Sequence, residues 1–304
     1  MSTCGGAVQR LFPVRSVPPL VELLLFLVLL FLIAVAAGFV GSLTGIGGGI
    51  VVIPILVIFF QVPFVEAVGA GFITILANSA TTGAAYVHEG LTDLRIGMVL
   101  EIATVPGALL GASLTILLTR YDLTAALMVA LAIVLILGSI STVLRRHEDV
   151  PQNVVPDRTS QRLGLTGSYH DARSGDTIVY QGANTTGAFG VMFGAGVVSG
   201  MFGIGSGVLK VFALDGALRL PFKVATATSN FMIGVTACAG AGVLLAAGYI
   251  NPVLAAPIAL GATVGAVVGS RILPGASTFV LRMLFVVVVC ALSIELIVQA
   301  LGGP

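Results

Sequence analysis

Of 304 residues, only 9% are charged and 57% are hydrophobic, and the mean hydropathy is +1.12. Soluble domains carry roughly 25% charged residues, so this composition excludes a soluble enzyme and places the chain in a bilayer. A net charge of +1 leaves no basic surplus for nucleic acid, and three scattered cysteines exclude a disulfide framework or a thiolate metal cluster.

Residues 1–19 read as an N-terminal tail. Arg10, Arg15, the run from Leu20 and Ala34-Val35-Ala36 imitate a secretory signal. The apolar run continues past that point without a break, which predicts a first transmembrane helix instead. Apolar segments cover about 20–44, 46–60, 64–87, 94–119 and 122–144, and again 183–202, 204–217, 221–247, 252–273 and 277–300. A helix over residues 50 to 60 spans only about 16 Å at ~1.5 Å per residue, against a hydrocarbon core of about 30 Å. The segments 46–60 and 204–217 are therefore expected as half-helices or re-entrant pieces. Between the two sets lies 145–182, the polar interval. Pro151 and Pro156 predict an extended start, and Leu163 to His170 with Thr177 to Gln181 predict a β-hairpin around Ala172-Arg173-Ser174-Gly175. The expected organisation is a tail (1–19), a first transmembrane repeat (20–144), a cytoplasmic connector (145–182) that tethers the halves, and a second transmembrane repeat (183–304).

The two sets are copies of one unit. Gly45-Ile46-Gly47-Gly48-Gly49 recurs 158 positions later as Gly203-Ile204-Gly205-Ser206-Gly207. The same offset relates Gly38 to Gly196, Val62-Pro63 to Leu220-Pro221, Gly90 to Gly248, Gly107-Ala108 to Gly265-Ala266 and Gly111 to Gly269. Five elements per copy is an odd number, so the second copy enters the bilayer inverted relative to the first, as in secondary transporters. With an external N-terminus, loops on the cytoplasmic side hold nine of the arginines and lysines and the opposite side three. That balance favours a cytoplasmic connector and external termini.

Glycine runs are poor helix interiors, each glycine costing roughly 1 kcal/mol relative to alanine. Unwound backbone in lipid is tolerated only where it lines a cavity or is buried in protein. The helix after each run begins with unpaired N–H groups and the positive end of its dipole, which attracts an anion. The expected site is an anion cradle between the repeats, built from Gly45, Gly47, Gly48, Gly49, Gly203, Gly205, Ser206 and Gly207. Close helix packing by small residues is the alternative.

The pattern Gly38, Gly45-Ile46-Gly47-Gly48-Gly49, Pro54, Pro63 and Ala67 resembles the sulfite exporter TauE/SafE family. Its second copy, Gly203 to Val211 followed by Pro221-x-x-x-Ala225-Thr226-Ala227-Thr228-Ser229-Asn230, is similar to that family more closely still. The resemblance covers about 20–145 and 183–300. It implies a polytopic plasma-membrane transporter of sulfur-containing anions: sulfite, sulfonates such as sulfoacetate, or thiosulfate. Two positions depart from the pattern, Ala70-Gly71 in the first copy and Ser206 in the second. The first departure implies that the halves contribute unequally.

Thr228, Ser229 and Asn230 carry hydroxyl and amide donors suited to sulfur oxyanions. In the first copy Thr74, Asn78 and Thr81 share one helical face. Hydrogen bonding within and between helices is the competing reading for all of them. Lys210 is a charge inside an apolar segment, expected either to neutralise the anion or to snorkel to the surface. Glu101, six residues into its span, is the candidate proton carrier. No metal-ligand spacing, nucleotide loop or nucleophile with a paired base appears, so no cofactor and no enzyme activity are expected. The sequence thus points to an all-α polytopic bundle of two inverted repeats that moves a small sulfur anion by alternating access, in export and coupled to an ion. An anion channel and a carrier of non-sulfur organic anions remain alternatives, and the oligomeric state is not readable.

Overall fold

The computed structural model describes residues 19–44, 47–144, 156–170, 177–272 and 278–302. Among them, the first repeat forms α1 (Pro19–Thr44), α2 (Gly49–Ile58), α3 (Phe64–His88), α4 (Leu94–Arg120) and α5 (Thr124–Leu144). The second forms α7 (Thr185–Phe202), α8 (Gly207–Val211), a π-helical turn (Phe212–Ala217), α9 (Phe222–Ala246), α10 (Pro252–Ile272) and α11 (Thr278–Gly302). The short α6 (Arg158–Leu163) and the antiparallel strands β1 (Thr166–His170) and β2 (Thr177–Gln181) lie between them. Val21–Ser42, Phe64–His88, Leu94–Arg120, Thr185–Phe202, Phe222–Ala246 and Pro252–Arg271 are long and apolar enough to cross a bilayer. The chain is an all-α polytopic membrane protein.

The 158-residue offset reappears in the packing. The helix α1 packs on α10 and α7 packs on α4, so the first element of each repeat lies on the fourth of the other. At residue level, Gly38 sits against the Ala262 carbonyl and Gly196 against that of Thr104. Likewise Gly265 sits against the Val35 carbonyl and Gly107 against that of Phe193. Every one of these contacts is its partner shifted by one repeat. Glycine lets the two backbones touch, and in lipid such close packing is what holds helices together. The third elements, α3 and α9, pack on each other along an antiparallel seam through Phe72–Gly240, Ser79–Gly234 and Gly83–Phe231.

The connector is a docked element rather than a loose tether. Asp157 caps α6 through the Ser160 N–H and accepts the Thr185 hydroxyl at 2.8 Å. Gly164 closes the helix in a left-handed conformation. The first strand therefore begins at Thr166, three residues later than the alternation from Leu163 suggests, and the expected turn 172–175 lies outside the described residues. Leu165, Tyr169 and Tyr180 are buried in one core with Ile96, Leu100, Leu214, Leu218 and Val224. The Tyr180 hydroxyl donates to Asp93 Oδ2 at 2.9 Å, while Asp93 Oδ1 caps α4 at the Ile96 N–H. Burial and the Asp93 carboxylate push the Tyr180 hydroxyl above the ordinary tyrosine range.

Candidate functional site

The two glycine motifs meet halfway along α3 and α9. Gly49, at the start of α2, lies against the Gly203 carbonyl, and so does Gly71 of α3. Gly47 packs between Ile75 and Ile233, which are repeat equivalents of each other. Gly45 falls outside the described residues. Thr74 lies about ten residues into α3, roughly 15 Å along a helix, and its methyl touches Gly48. That length is about half of a bilayer core about 30 Å thick.

The left-handed backbone explains the motif. Gly48 is the N-cap of α2 at φ 72°, with no side-chain cap. Its equivalent, Ser206, keeps the left-handed conformation at φ 41°. A serine there is strained, and its Oγ anchors the turn by donating to the Ala195 carbonyl at 2.6 Å. The departure of Ser206 from the glycine pattern is thus compensated by one buried hydrogen bond. Gly205 matches Gly47, with φ 73° against 94°.

The polar side chains around these turns fall into two groups. Several are satisfied within the protein. Thr74 Oγ1 donates to the Ala70 carbonyl at 2.9 Å, and Asn230 Nδ2 to the Thr226 carbonyl at 3.2 Å. Ser229 Oγ donates to the Gly207 carbonyl at 3.4 Å, and Thr228 Oγ1 accepts the Asp93 N–H at 3.0 Å. Thr228 therefore holds the turn before α4, and Ser229 ties α9 to the second glycine motif. Asn78 differs. It is 1% exposed, yet neither Oδ1 nor Nδ2 has a hydrogen-bond partner. A Cβ on Gly41 would strike both Asn78 Nδ2 and Gly48 N, so Gly41, the amide and the start of α2 are packed in close contact, with no room for a methyl group.

Lys210 neither snorkels nor offers a free charge. It is fully buried, its Nζ 3.3 Å from Glu101 Oε1 and 2.9 Å from the Met232 carbonyl, and it also bonds the Thr236 hydroxyl. The Thr236 hydroxyl lies 3.0 and 3.1 Å from the two Glu101 oxygens. The structure thus joins the two residues singled out separately for anion binding and proton transfer. Thr236 is the member that sequence reasoning missed. The repeat offset would have found it, since Thr236 is the equivalent of Asn78. Among the described residues no cluster of His, Cys, Asp and Glu could hold a metal.

Two open clefts lie toward the two ends of α3, and neither is lined by the glycine motifs, Asn78 or the Lys210–Glu101 pair. One, of about 710 Å³, follows the α3–α9 seam past Leu76, Ser79, Gly83, Phe231 and Gly234 to His88. The other, of about 320 Å³, lies at the opposite end of α3 among Gln61, Glu66, Thr119, Tyr249 and Gln299.

Comparison with known proteins agrees with this architecture. The family model for the sulfite exporter TauE/SafE matches residues 30–296. The chain is 28% identical over 281 residues to the probable membrane transporter protein YunE of Bacillus subtilis, covering 90% of this chain and 98% of that one. It is 24% identical over 251 residues to the probable membrane transporter protein YdhB of the same organism, covering 82% and 89%. No solved structure matches it significantly. The chain belongs to the sulfite exporter TauE/SafE family and is a membrane transporter.

Proposed function

We propose that this protein is a secondary transporter of a small sulfur-containing anion, sulfite or an organosulfonate, and that it works by alternating access between two inverted repeats. The antiparallel seam of α3 and α9 supports the inversion, because equivalent elements run oppositely when a two-fold axis lies in the membrane plane. The exchanged pairs α1–α10 and α4–α7 support the same axis. The open clefts toward opposite ends of α3 are the candidate mouths on the two sides. The charge balance of the loops favours a plasma-membrane orientation with the connector in the cytoplasm and the termini outside. Gradients of the anion and of the coupling ion set the direction, and export follows when the anion is produced inside.

Asn78 carries the reading of the site. An orphaned buried amide costs about 1–3 kcal/mol, and an oxyanion accepting from Nδ2 would relieve that cost. The positive end of α2 adds attraction for negative charge. The glycines let Gly41, Gly48 and the Asn78 amide pack in contact, so an oxyanion would enter as that contact opens.

The test is thermal unfolding of the purified protein in detergent with sulfite, thiosulfate, sulfoacetate, taurine, sulfate or chloride. At a hundred times its dissociation constant, a ligand stabilises by about 2.7 kcal/mol. One sulfur anion should raise the midpoint, and Asn78→Leu should abolish that rise. If none of the six moves the wild-type midpoint, the anion site is refuted.

A further inference from the structure

The buried pair at the second glycine motif has no counterpart in the first. One repeat earlier, Lys210 corresponds to Val52 and Thr236 to Asn78, and one repeat later Glu101 corresponds to Ala259. Where the first glycine motif faces an unpartnered amide, Lys210 and Thr236 beside the second motif hold the carboxylate of Glu101, which comes from the first repeat. All three Lys210 donors face acceptors: Glu101 Oε1, the Met232 carbonyl and Thr236 Oγ1. In this conformation none is left for a ligand. Replacing a buried ion pair by apolar residues of similar volume is often neutral or stabilising, and charges at this depth are retained for function. The pair also sits at a mechanically special place. Lys210 N–H donates to the carbonyl of Ser206 in the glycine turn, and two residues after Lys210 the helix widens into a π-turn, a form common at functional sites. The pair links α8 of one repeat to α4 of the other.

From this geometry we infer that Glu101 is a built-in anion, displaced from Lys210 by the transported oxyanion and protonated as it leaves. This rests on the reading of the chain as an anion transporter. Before displacement the ammonium and carboxylate cancel. The incoming anion takes over the hydrogen bonds of the ammonium, and the freed carboxylate takes one proton from solvent. With a monoanion the site stays neutral, with a dianion it gains one negative charge, and in either case Glu101 carries one proton per anion bound. Other titratable groups on the surrounding elements are few. Helices α5 and α7 carry no Asp, Glu, Lys, Arg or His. Helix α9 carries Lys223 in its first turn and the exposed Cys238, the π-turn carries Asp215, and α3 carries Glu66, Tyr86 and His88. On α4 itself Arg95 and Arg120 lie at the two ends. Of all these groups Lys210 is the one in ion-pair contact with Glu101.

The experiment uses proteoliposomes holding a pH-sensitive dye, with labelled sulfoacetate and thiosulfate as probes. Both probes stay ionised near neutral pH, so a coupled proton must ride on the protein. In the wild type, anion entry should bring protons with it. Glu101→Gln should cut anion-linked proton flux at least tenfold while equilibrium exchange of the labelled anion persists. If that variant does not purify as a monodisperse species, Lys210→Gln with Glu101→Gln leaves no unpaired charge and should likewise show no proton flux. Anion entry without protons in the wild type, or proton flux that survives either variant, overturns the role of Glu101 and leaves transport standing. Failure of the wild type to move either probe or sulfite overturns the transport reading and this inference with it.

Discussion

The two halves share a backbone plan and differ in how they treat a charge. Around Gly48 the residues are uncharged: Val52 is buried, and the buried amide of Asn78 has no hydrogen-bond partner. Around Ser206, Lys210 and Thr236 of the second half close on Glu101 of the first, and Ser206 bonds to Ala195. A duplicated unit has thus kept its symmetry in the contacts that hold it together and lost it in the polar groups beside the glycine turns.

The sharpest break of this contrast is Lys210→Met. It leaves the Glu101 carboxylate buried and unpaired, which should cost about 3–5 kcal/mol. Adding Glu101→Gln should return most of that loss, measured by thermal unfolding in detergent. If the single variant is as stable as the wild type, the pair is not buried as described. Next in size is Gly48→Ala. A Cβ there meets the Ala37 carbonyl at a left-handed residue, and strain plus clash should cost about 2 kcal/mol. Ser206→Gly removes a hydrogen bond but relieves strain, so the change should stay within about 1 kcal/mol. Equal costs at the two positions would show that the turns are not equivalent.

Asn78→Leu should lose the anion-induced midpoint shift and leave stability unchanged or higher by about 1 kcal/mol. It replaces an unsatisfied amide by an apolar group of similar size. A large loss of stability would mean that the amide has partners in the folded protein. The smallest effect is expected at the connector. Tyr180→Phe deletes the bond to Asp93, worth about 1 kcal/mol, and should raise hydrogen exchange across residues 166–170 and 177–181. Because the folded chain holds the Tyr180 proton more tightly than the ordinary value of 10.0, this contribution is whole below about pH 10. It fades as the pH climbs above that value. The phenylalanine variant should lack that alkaline loss.

Much of the fold was legible because hydrophobic segments and glycine breaks are local signals. The ten apolar segments, the short pieces after each glycine run and the pairing of 166–170 with 177–181 all follow from the sequence. The helix Arg158–Leu163 was legible too, since Asp157 and Gly164 are a cap and a stop. Alternation from Leu163 obscured it. The site was less legible. Lys210 and Glu101 stand 109 residues apart, and which faces of α4, α8 and α9 converge depends on helix rotations that no linear pattern encodes. The polar run Thr228-Ser229-Asn230 reads as a ligand set in the sequence, and its hydrogen bonds to the turn before α4, the second glycine motif and its own helix are tertiary contacts that no linear pattern shows.

The exchanged pairing of α1 with α10 has a consequence for biogenesis. The helix that α1 packs on, Pro252–Ile272, is made long after Pro19–Thr44, so α1 enters the bilayer well before its partner exists. Neither half can complete its own packing, because each lends its first helix to the other. Two separately synthesised halves should therefore reconstitute only when made together in the same membrane, and a ribosome stalled before α10 should leave a chain that quality-control proteases recognise as unfinished.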